Sequence, residues 1–145
     1  TTLTLALIFG HKAHVAHVGD SRAYIFNQKT LRQITQDHSL VARLVELGQA
    51  TPQEALTHTH RNVLYRAVGQ AGSLEVDTYL QPLPVGSCLL LCSDGLWGMV
   101  SDSEITDILT HAPTPQKGLE KLAATANQNG GDDNITAVLV YMGES

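Results

Sequence analysis

The chain has 145 residues, 43% of them apolar and 16% charged, with 14 acidic against 9 basic side chains and a formal net charge of −5. That size suits one domain with a sizeable core, and the composition excludes a disordered chain. The acidic balance without any Lys/Arg cluster argues against a nucleic-acid or anionic-membrane surface, and the longest apolar stretches fall far below the roughly 18 residues of a membrane span.

Leu3–Phe9 and Lys12–Val18 are rich in aliphatic residues and flank Gly10-His11, which predicts an antiparallel hairpin. Arg22–Asn27 and Leu31–Thr35 flank Gln28-Lys29-Thr30 and predict a second. From Ser39 the period changes: Leu40, Val41, Leu44, Val45 and Leu47 share one helical face, and Gly48 ends it. Thr51-Pro52-Gln53-Glu54 combines an N-cap, a proline at the first helical position and an acidic first turn, so a short helix follows. Another short helix is expected over Asn62–Val68, stopped by Gly69. Leu74–Leu80 and Ser87–Cys92 read as strands joined through Pro82 and Pro84. Ser101-Asp102-Ser103-Glu104 is a capping box that opens a helix to about Leu109. Thr114-Pro115 opens the next, which runs to about Gln128 and stops at Gly130-Gly131. Asn134–Tyr141 is a last strand. The order predicts an α+β domain over residues 1–145 with mostly antiparallel sheets.

Cys88 and Cys92 are four residues apart in a strand, about 13 Å between Cα atoms, which exceeds the roughly 7 Å a disulfide tolerates. Both read as buried thiols, in keeping with a reducing, cytoplasmic compartment, and no secretory signal pattern is visible. His11, His14 and His17 cannot share one ion, since His14 points to the opposite face and the other two are about 20 Å apart. They are expected to be exposed strand histidines. His58 and His60 share a face if extended and precede Arg61, which suits either a substrate phosphate or a structural hydrogen-bonding role. Trp97 is expected to pack under the neighbouring Asp94 turn.

Three aspartates share a setting. Asp20 follows the strand ending His17-Val18-Gly19, Asp94 follows Leu89–Ser93, and Asp133 precedes Asn134–Val138. Each lies at a strand end near a glycine, where a carboxylate projects from a rigid element into a cleft mouth. Carboxylates gathered at one sheet edge repel one another unless a cation sits between them, and hard cations such as Mg²⁺ and Mn²⁺ take oxygen ligands.

At Val18-Gly19-Asp20-Ser21-Arg22, Ser93-Asp94-Gly95-Leu96 and Gly131-Asp132-Asp133-Asn134-Ile135-Thr136 the chain resembles the metal-dependent protein serine/threonine phosphatases of the PP2C (PPM) family, most of all the bacterial PstP/Stp-like branch. Thr35–Val41, Arg61–Leu64 and Arg66–Gly69 add to the resemblance, which extends over essentially the whole chain. It implies an αββα sandwich: two antiparallel sheets face to face, a helix pair on each outer side, and two or three Mn²⁺ or Mg²⁺ ions at one end. By resemblance Asp94 and Asp133 would hold the second metal, and Asp20 with Asp94 a third. Asn134 and Gly95 would support these ligands from behind, and the segment from about Gln36 to His60 would be a flap beside the site. The implied reaction is in-line attack of activated water on phosphoserine or phosphothreonine, with no nucleophilic side chain. The implied partners are a phosphorylated protein and a Ser/Thr kinase system, with no nucleic acid.

The chain also departs from that family. The family's Arg-x-x-Asn-Glu-Asp and Asp-Gly-Met-Gly-Gly-His motifs are absent, and Gly86-Ser87 stands where Gly-Asp is usual. The chain begins at about the Thr-Thr that follows those motifs, so it is expected to be the C-terminal portion of the domain, an incomplete sandwich. Alone it is expected to be inactive or weak, and its open sheet edges are expected to drive self-association or capture of a complementary fragment. The alternative is a non-catalytic binding or regulatory module that keeps the fold.

Overall fold

The computed structural model describes residues 1–143. Seven strands form two antiparallel sheets. The first has the order β1-β2-β5, with β1 at Leu3–Phe9, β2 at Lys12–Val18 and β5 at Asp77–Pro82. The second runs β4-β3-β6-β7, with β3 at Arg22–Asn27, β4 at Thr30–Gln33, β6 at Cys88–Cys92 and β7 at Ala137–Tyr141. Helices α1 (Leu40–Glu46) and α2 (Pro52–Thr57) lie between β4 and β5 in the chain, and α3 (Asp94–Trp97), α4 (Asp102–His111) and α5 (Pro115–Gln128) between β6 and β7.

Strand alternation decides what each face buries. Ala13 and Val15 of β2 meet Ala23 and Ile25 of β3 and Leu89 of β6, and with Ile34 and Leu83 they fill the space between the sheets. The other parity of the second sheet, Tyr24, Leu90 and Cys92, packs under Leu96, Val100, Ile105, Leu122 and Ala126 of the α3–α5 layer. Both cysteines are free and buried, and burial pushes the Cys92 thiol up to about 12. Helices thus flank one outer side of the expected sandwich. Among the described residues the other is bare: Leu3, Leu5, Leu7, Phe9 and Leu80 are 55%, 57%, 65%, 81% and 56% exposed on the outer face of the first sheet.

Caps stand where their residue types put them. Ser39 accepts from Ala42 N–H at the start of α1, and Thr51 with Glu54 and Ser101 with Glu104 form capping boxes for α2 and α4. Several elements differ from the sequence reading. The helix expected over Asn62–Val68 does not form. That segment is irregular apart from an isolated bridge between Ser39 and Leu64, with Leu40 N–H donating to Val63 O (2.8 Å), Tyr65 N–H to His38 O (3.0 Å) and Val68 N–H to Thr1 O (2.8 Å). Long-range partners satisfy its backbone, whereas a helix this short would bear the cost of nucleation over few bonds. The strand expected at Leu74–Leu80 is β5, displaced to Asp77–Pro82 because pairing with β2 begins at His17↔Asp77. The second hairpin loop is two residues long, since Thr30 already pairs with Asn27. The one-turn helix α3, directly after β6, was not anticipated.

That hairpin carries local strain. Gln28 and Lys29 have φ of 49° and 62°, a turn geometry that favours Asn-Gly over residues with larger side chains. Replacing Gln28 by Asn together with Lys29 by Gly is expected to stabilise the fold by about 1 kcal/mol. Thermal unfolding followed by circular dichroism should show a Tm rise of roughly 3 °C, and an unchanged or lower Tm would contradict the assignment.

Candidate functional site

The site is built where β2 and β6 end and the chain turns into β7. β2 stops at Val18, and Gly19 follows with φ +111°, in a position where a Cβ would overlap the Thr2 side chain. Glycine is required there twice over, by conformation and by space. Asp20 emerges from this turn and is held from several sides. Its carbonyl accepts the Trp97 indole N–H at 2.9 Å. Ser21 Oγ lies 2.9 Å from Thr2 Oγ1, and Ser21 O accepts from Thr4 Oγ1 at 2.9 Å.

Arg22 braces the same turn. Its Nε and one terminal nitrogen donate to the two Asp37 oxygens at 3.0 and 2.7 Å, the other terminal nitrogen donates to Tyr24 OH at 3.1 Å, and the guanidinium lies 3.5 Å over the Trp97 ring. Burial works against the Arg22 charge, but the Asp37 carboxylate outweighs it and raises the guanidinium pKa further. Such a bidentate, stacked cation is geometrically specific. Trp97 therefore packs beside the Asp94 turn as expected, and it also ties Arg22 to Asp20.

Asp94 is the first residue of α3, and its Oδ1 accepts from Gly95 N–H at 3.0 Å. A Cβ on Gly95 would overlap the Asn134 carbonyl oxygen, so this glycine lets the Asp94 turn press against the approach to β7. Ser93 completes the junction: its Oγ donates to Asn134 O (3.1 Å) and accepts from Thr136 N–H (3.0 Å), while its own N–H donates to Thr136 O (3.0 Å). This docking of residues 134–136 on Ser93 explains why β7 begins only at Ala137. Asp133 is exposed, with its Oδ1 accepting from Asn134 N–H at 2.6 Å.

Asp94 lies close enough to Asp20 for its charge to disfavour the Asp20 carboxylate. Burial, then the Asp94 charge, then Asp37, push the Asp20 carboxyl up to about 6. Asp133 joins them through the Asn134–Gly95 backbone contact. Among the described residues no group of three or more His, Cys, Asp or Glu side chains is arranged to hold a metal ion. The chain therefore presents a carboxylate pair with a third carboxylate on the adjoining turn. Half-buried like charges are unfavourable without a counter-ion, and the oxygen-only donor set suits a hard divalent cation.

The remaining expectations divide. His17 is not exposed. It is fully buried because it shares the inward parity of Ala13 and Val15, and its ring lies 4.8 Å from that of His38. Burial, with His38 nearby, lowers its pKa. The neutral ring donates from Nε2 to Gln36 O at 3.1 Å and places Nδ1 2.9 Å from Thr4 Oγ1. His58 and His60 are not on one extended face. They sit in a turn after α2 with rings 5.7 Å apart, and Arg61 N–H donates to His58 O at 3.1 Å. The buried polar set of His17, Asp37, His38 and Ser39 went unrecognised in the sequence. Its one signal is the polar run Thr35–Ser39 between a strand and an apolar helix.

Comparison with known proteins finds similar sequences and structures. Residues 1–46 match the family model described as protein phosphatase 2C. The chain is 43% identical over 140 residues to a serine/threonine phosphatase Stp of Listeria welshimeri, an alignment covering 97% of this chain and 56% of that protein. Its structure is similar to that of the Streptococcus agalactiae serine/threonine phosphatase, with a TM-score of 0.94 at 40% identity over 97% of this chain and 58% of the other. It is also similar to the catalytic domain of the phosphatase PstP in complex with two manganese ions, with a TM-score of 0.85 at 36% identity over 95% of this chain and 56% of that one. The chain thus spans little more than half the length of these relatives.

The Asp20 carboxyl gives a pH prediction with a definite sign. A carboxyl raised in the folded state to about 6, against roughly 3.9 unfolded, favours the protonated fold. Its contribution to stability is complete below the unfolded value and is lost as pH rises through 6. In EDTA, Asp20→Asn is expected to exceed the parent chain in stability at pH 7.5 by about 1 kcal/mol, after allowing for solvent screening of a half-exposed group. The gain should vanish toward roughly pH 3.5, below the unfolded carboxyl value. Denaturant titrations at the two pH values check this, and a variant less stable than the parent at pH 7.5 would contradict it.

Proposed function

Because this chain belongs to the protein phosphatase 2C family, we propose that it supplies part of the catalytic site of a metal-dependent enzyme that hydrolyses phosphoserine and phosphothreonine in proteins. The observation that carries the proposal is the Asp20–Asp94 pair: two carboxylates held beside one another at the sheet ends, one of them pushed up to about 6. Asp94 with Asp133 is proposed to hold one Mn²⁺ or Mg²⁺ ion, and Asp20 with Asp94 another. When bound, such an ion would supply Lewis acidity, offsetting phosphate charge and making water a stronger acid.

The chain's own residues have distinct parts in this reading. Gly19, Trp97 and the Arg22–Asp37 pair fix the direction in which Asp20 leaves β2. Gly95, Ser93 and the Asn134 backbone fix Asp94 against the turn that carries Asp133. His58 and Arg61, on the turn after α2, are proposed to face the phosphorylated segment of the substrate. A Ser/Thr kinase would generate that substrate, in the cytoplasm. No helix among the described residues is long and apolar enough to cross a membrane.

Two carboxylates and an exposed third are few ligands for a binuclear centre, so the chain by itself is proposed to be inactive or weakly active. The bare outer face of the first sheet is proposed to drive self-association of the isolated chain, since five large apolar side chains more than half exposed on one face exceed what scattered surface residues explain. Sedimentation velocity should show oligomers that Leu5→Lys with Leu7→Lys reduces. A compact monomer at high concentration would count against this.

The catalytic proposal is tested with a phosphothreonine peptide. Any hydrolysis should require Mn²⁺, and Asp94→Asn should weaken both hydrolysis and Mn²⁺ binding at least tenfold. Hydrolysis that persists in EDTA or in the Asp94→Asn chain would sink the reading. Mn²⁺ binding without any hydrolysis would fit both an incomplete site and a module that keeps the fold and lacks the chemistry, and adding a fragment that carries the missing family motifs would separate the two.

A further inference from the structure

The turn that carries Asp20 is gripped one residue before the carboxylate, by a side chain to which the proposed reaction gives no role. His38 follows β4, and its side chain is 2% exposed. Its main-chain N–H donates to Gly19 O at 2.7 Å, and its ring Nδ1 accepts the Gly19 N–H at 3.0 Å. One residue thus satisfies both main-chain polar groups of Gly19. A main-chain N–H only donates, so Nδ1 carries the lone pair, and in the neutral ring the hydrogen is on Nε2.

That hydrogen has an acceptor. Nε2 lies 3.1 Å from Asp77 Oδ2 at the start of β5, and Tyr79 OH donates to the same oxygen at 3.3 Å. Arg66 donates from Nη1 to the other Asp77 oxygen at 2.7 Å, the same nitrogen lies 3.1 Å from His38 Nε2, and Nη2 donates to Glu75 at 3.1 Å. Burial alone would raise the Asp77 carboxyl, but the His38 and Arg66 hydrogen bonds outweigh it and hold it below its ordinary value, which keeps the acceptor charged. The His38 ring is flanked by His17 at 4.8 Å and Tyr65 at 5.7 Å between centroids, which restricts its rotation. A continuous chain of hydrogen bonds therefore runs from Arg66, on the irregular segment between α2 and β5, through Asp77 and His38 to Gly19.

We infer that His38 is a positioning residue for Asp20: its Nδ1, aimed by Asp77 at the Nε2 side, fixes the Gly19 peptide and with it the direction of the Asp20 carboxylate. The assignment rests on the metal role proposed for Asp20. Replacing a group that orients a ligand from behind typically costs 10–100-fold in metal affinity.

The two ring nitrogens can be replaced separately. Asn at position 38 keeps an acceptor near Nδ1 but loses the reach to Asp77, whereas Gln keeps a polar group near Nε2 and offers Gly19 nothing at the δ position. In the 145-residue chain, His38→Asn should retain Mn²⁺ affinity close to the parent value, and His38→Gln should lose about tenfold, measured by the electron paramagnetic resonance signal of free Mn²⁺. Amide hydrogen exchange of Gly19, read without metal, should stay slow in His38→Asn and become fast in His38→Gln. In an Asp20→Asn background, His38→Gln should cause no further loss of Mn²⁺ affinity, because the two residues act as one unit. A parent chain that binds Mn²⁺, with Asn and Gln variants that do not differ in affinity or in Gly19 exchange, overturns the assignment alone. A parent chain that binds no Mn²⁺ overturns the metal role of Asp20 and this assignment with it.

Discussion

Two carboxylates that repel one another stand at the centre of this structure. Asp20 and Asp94 come from different sheets, one at the end of β2 and one at the start of the helix that follows β6. The fold brings them together at a half-buried position where the Asp20 charge is disfavoured by burial and by its neighbour. Nothing in local propensity rewards that arrangement, and a core built for stability alone would keep them apart. The surrounding residues make sense as the framework that holds the pair in place. Arg22 and Asp37 form a partly buried bidentate ion pair under Trp97, Trp97 anchors the Asp20 carbonyl, and Ser93 with Gly95 locks the Asp94 turn to the entry of β7.

The sandwich supplies the rigidity for this. The interior between the sheets is built from small and β-branched side chains, Ala13, Val15, Ala23 and Ile25 among them, so the strands approach closely and their ends are fixed relative to one another. The helix-facing side of the second sheet is filled by larger residues, with Tyr24, Leu90, Leu96 and Leu122 fully buried. One outer face of this sandwich is covered and the other is apolar and bare, and in the site a carboxylate pair is held without a group of three or more candidate metal ligands among the described residues.

Much of the fold was legible because it rests on short-range signals. β1, β2, β3 and α5 run between the same residues as their sequence patterns, since alternation, capping residues and glycine stops act within a few positions. The elements that shifted are those whose limits depend on a distant partner. Residues 62–68 take their backbone bonds from Leu40, His38 and Thr1, β5 starts where β2 ends, and β7 waits for Ser93. In the site, the three aspartates at strand ends stood out by position, but what holds them did not. His17 looked like an exposed strand histidine, since the parity that buries it is set by which sheet face β2 turns inward. His38, Arg66 and Asp77 are far apart in sequence and meet only once β2, β5 and the segment after α2 are in place.

The most direct measurement is anomalous X-ray scattering at the manganese absorption edge, on crystals of this chain grown with Mn²⁺. A peak between the Asp20 and Asp94 carboxylates, absent from crystals of Asp94→Asn, is the result expected if the pair exists to hold a divalent cation. Two carboxylates left unbridged at saturating Mn²⁺, with no peak at the sheet ends, would contradict it.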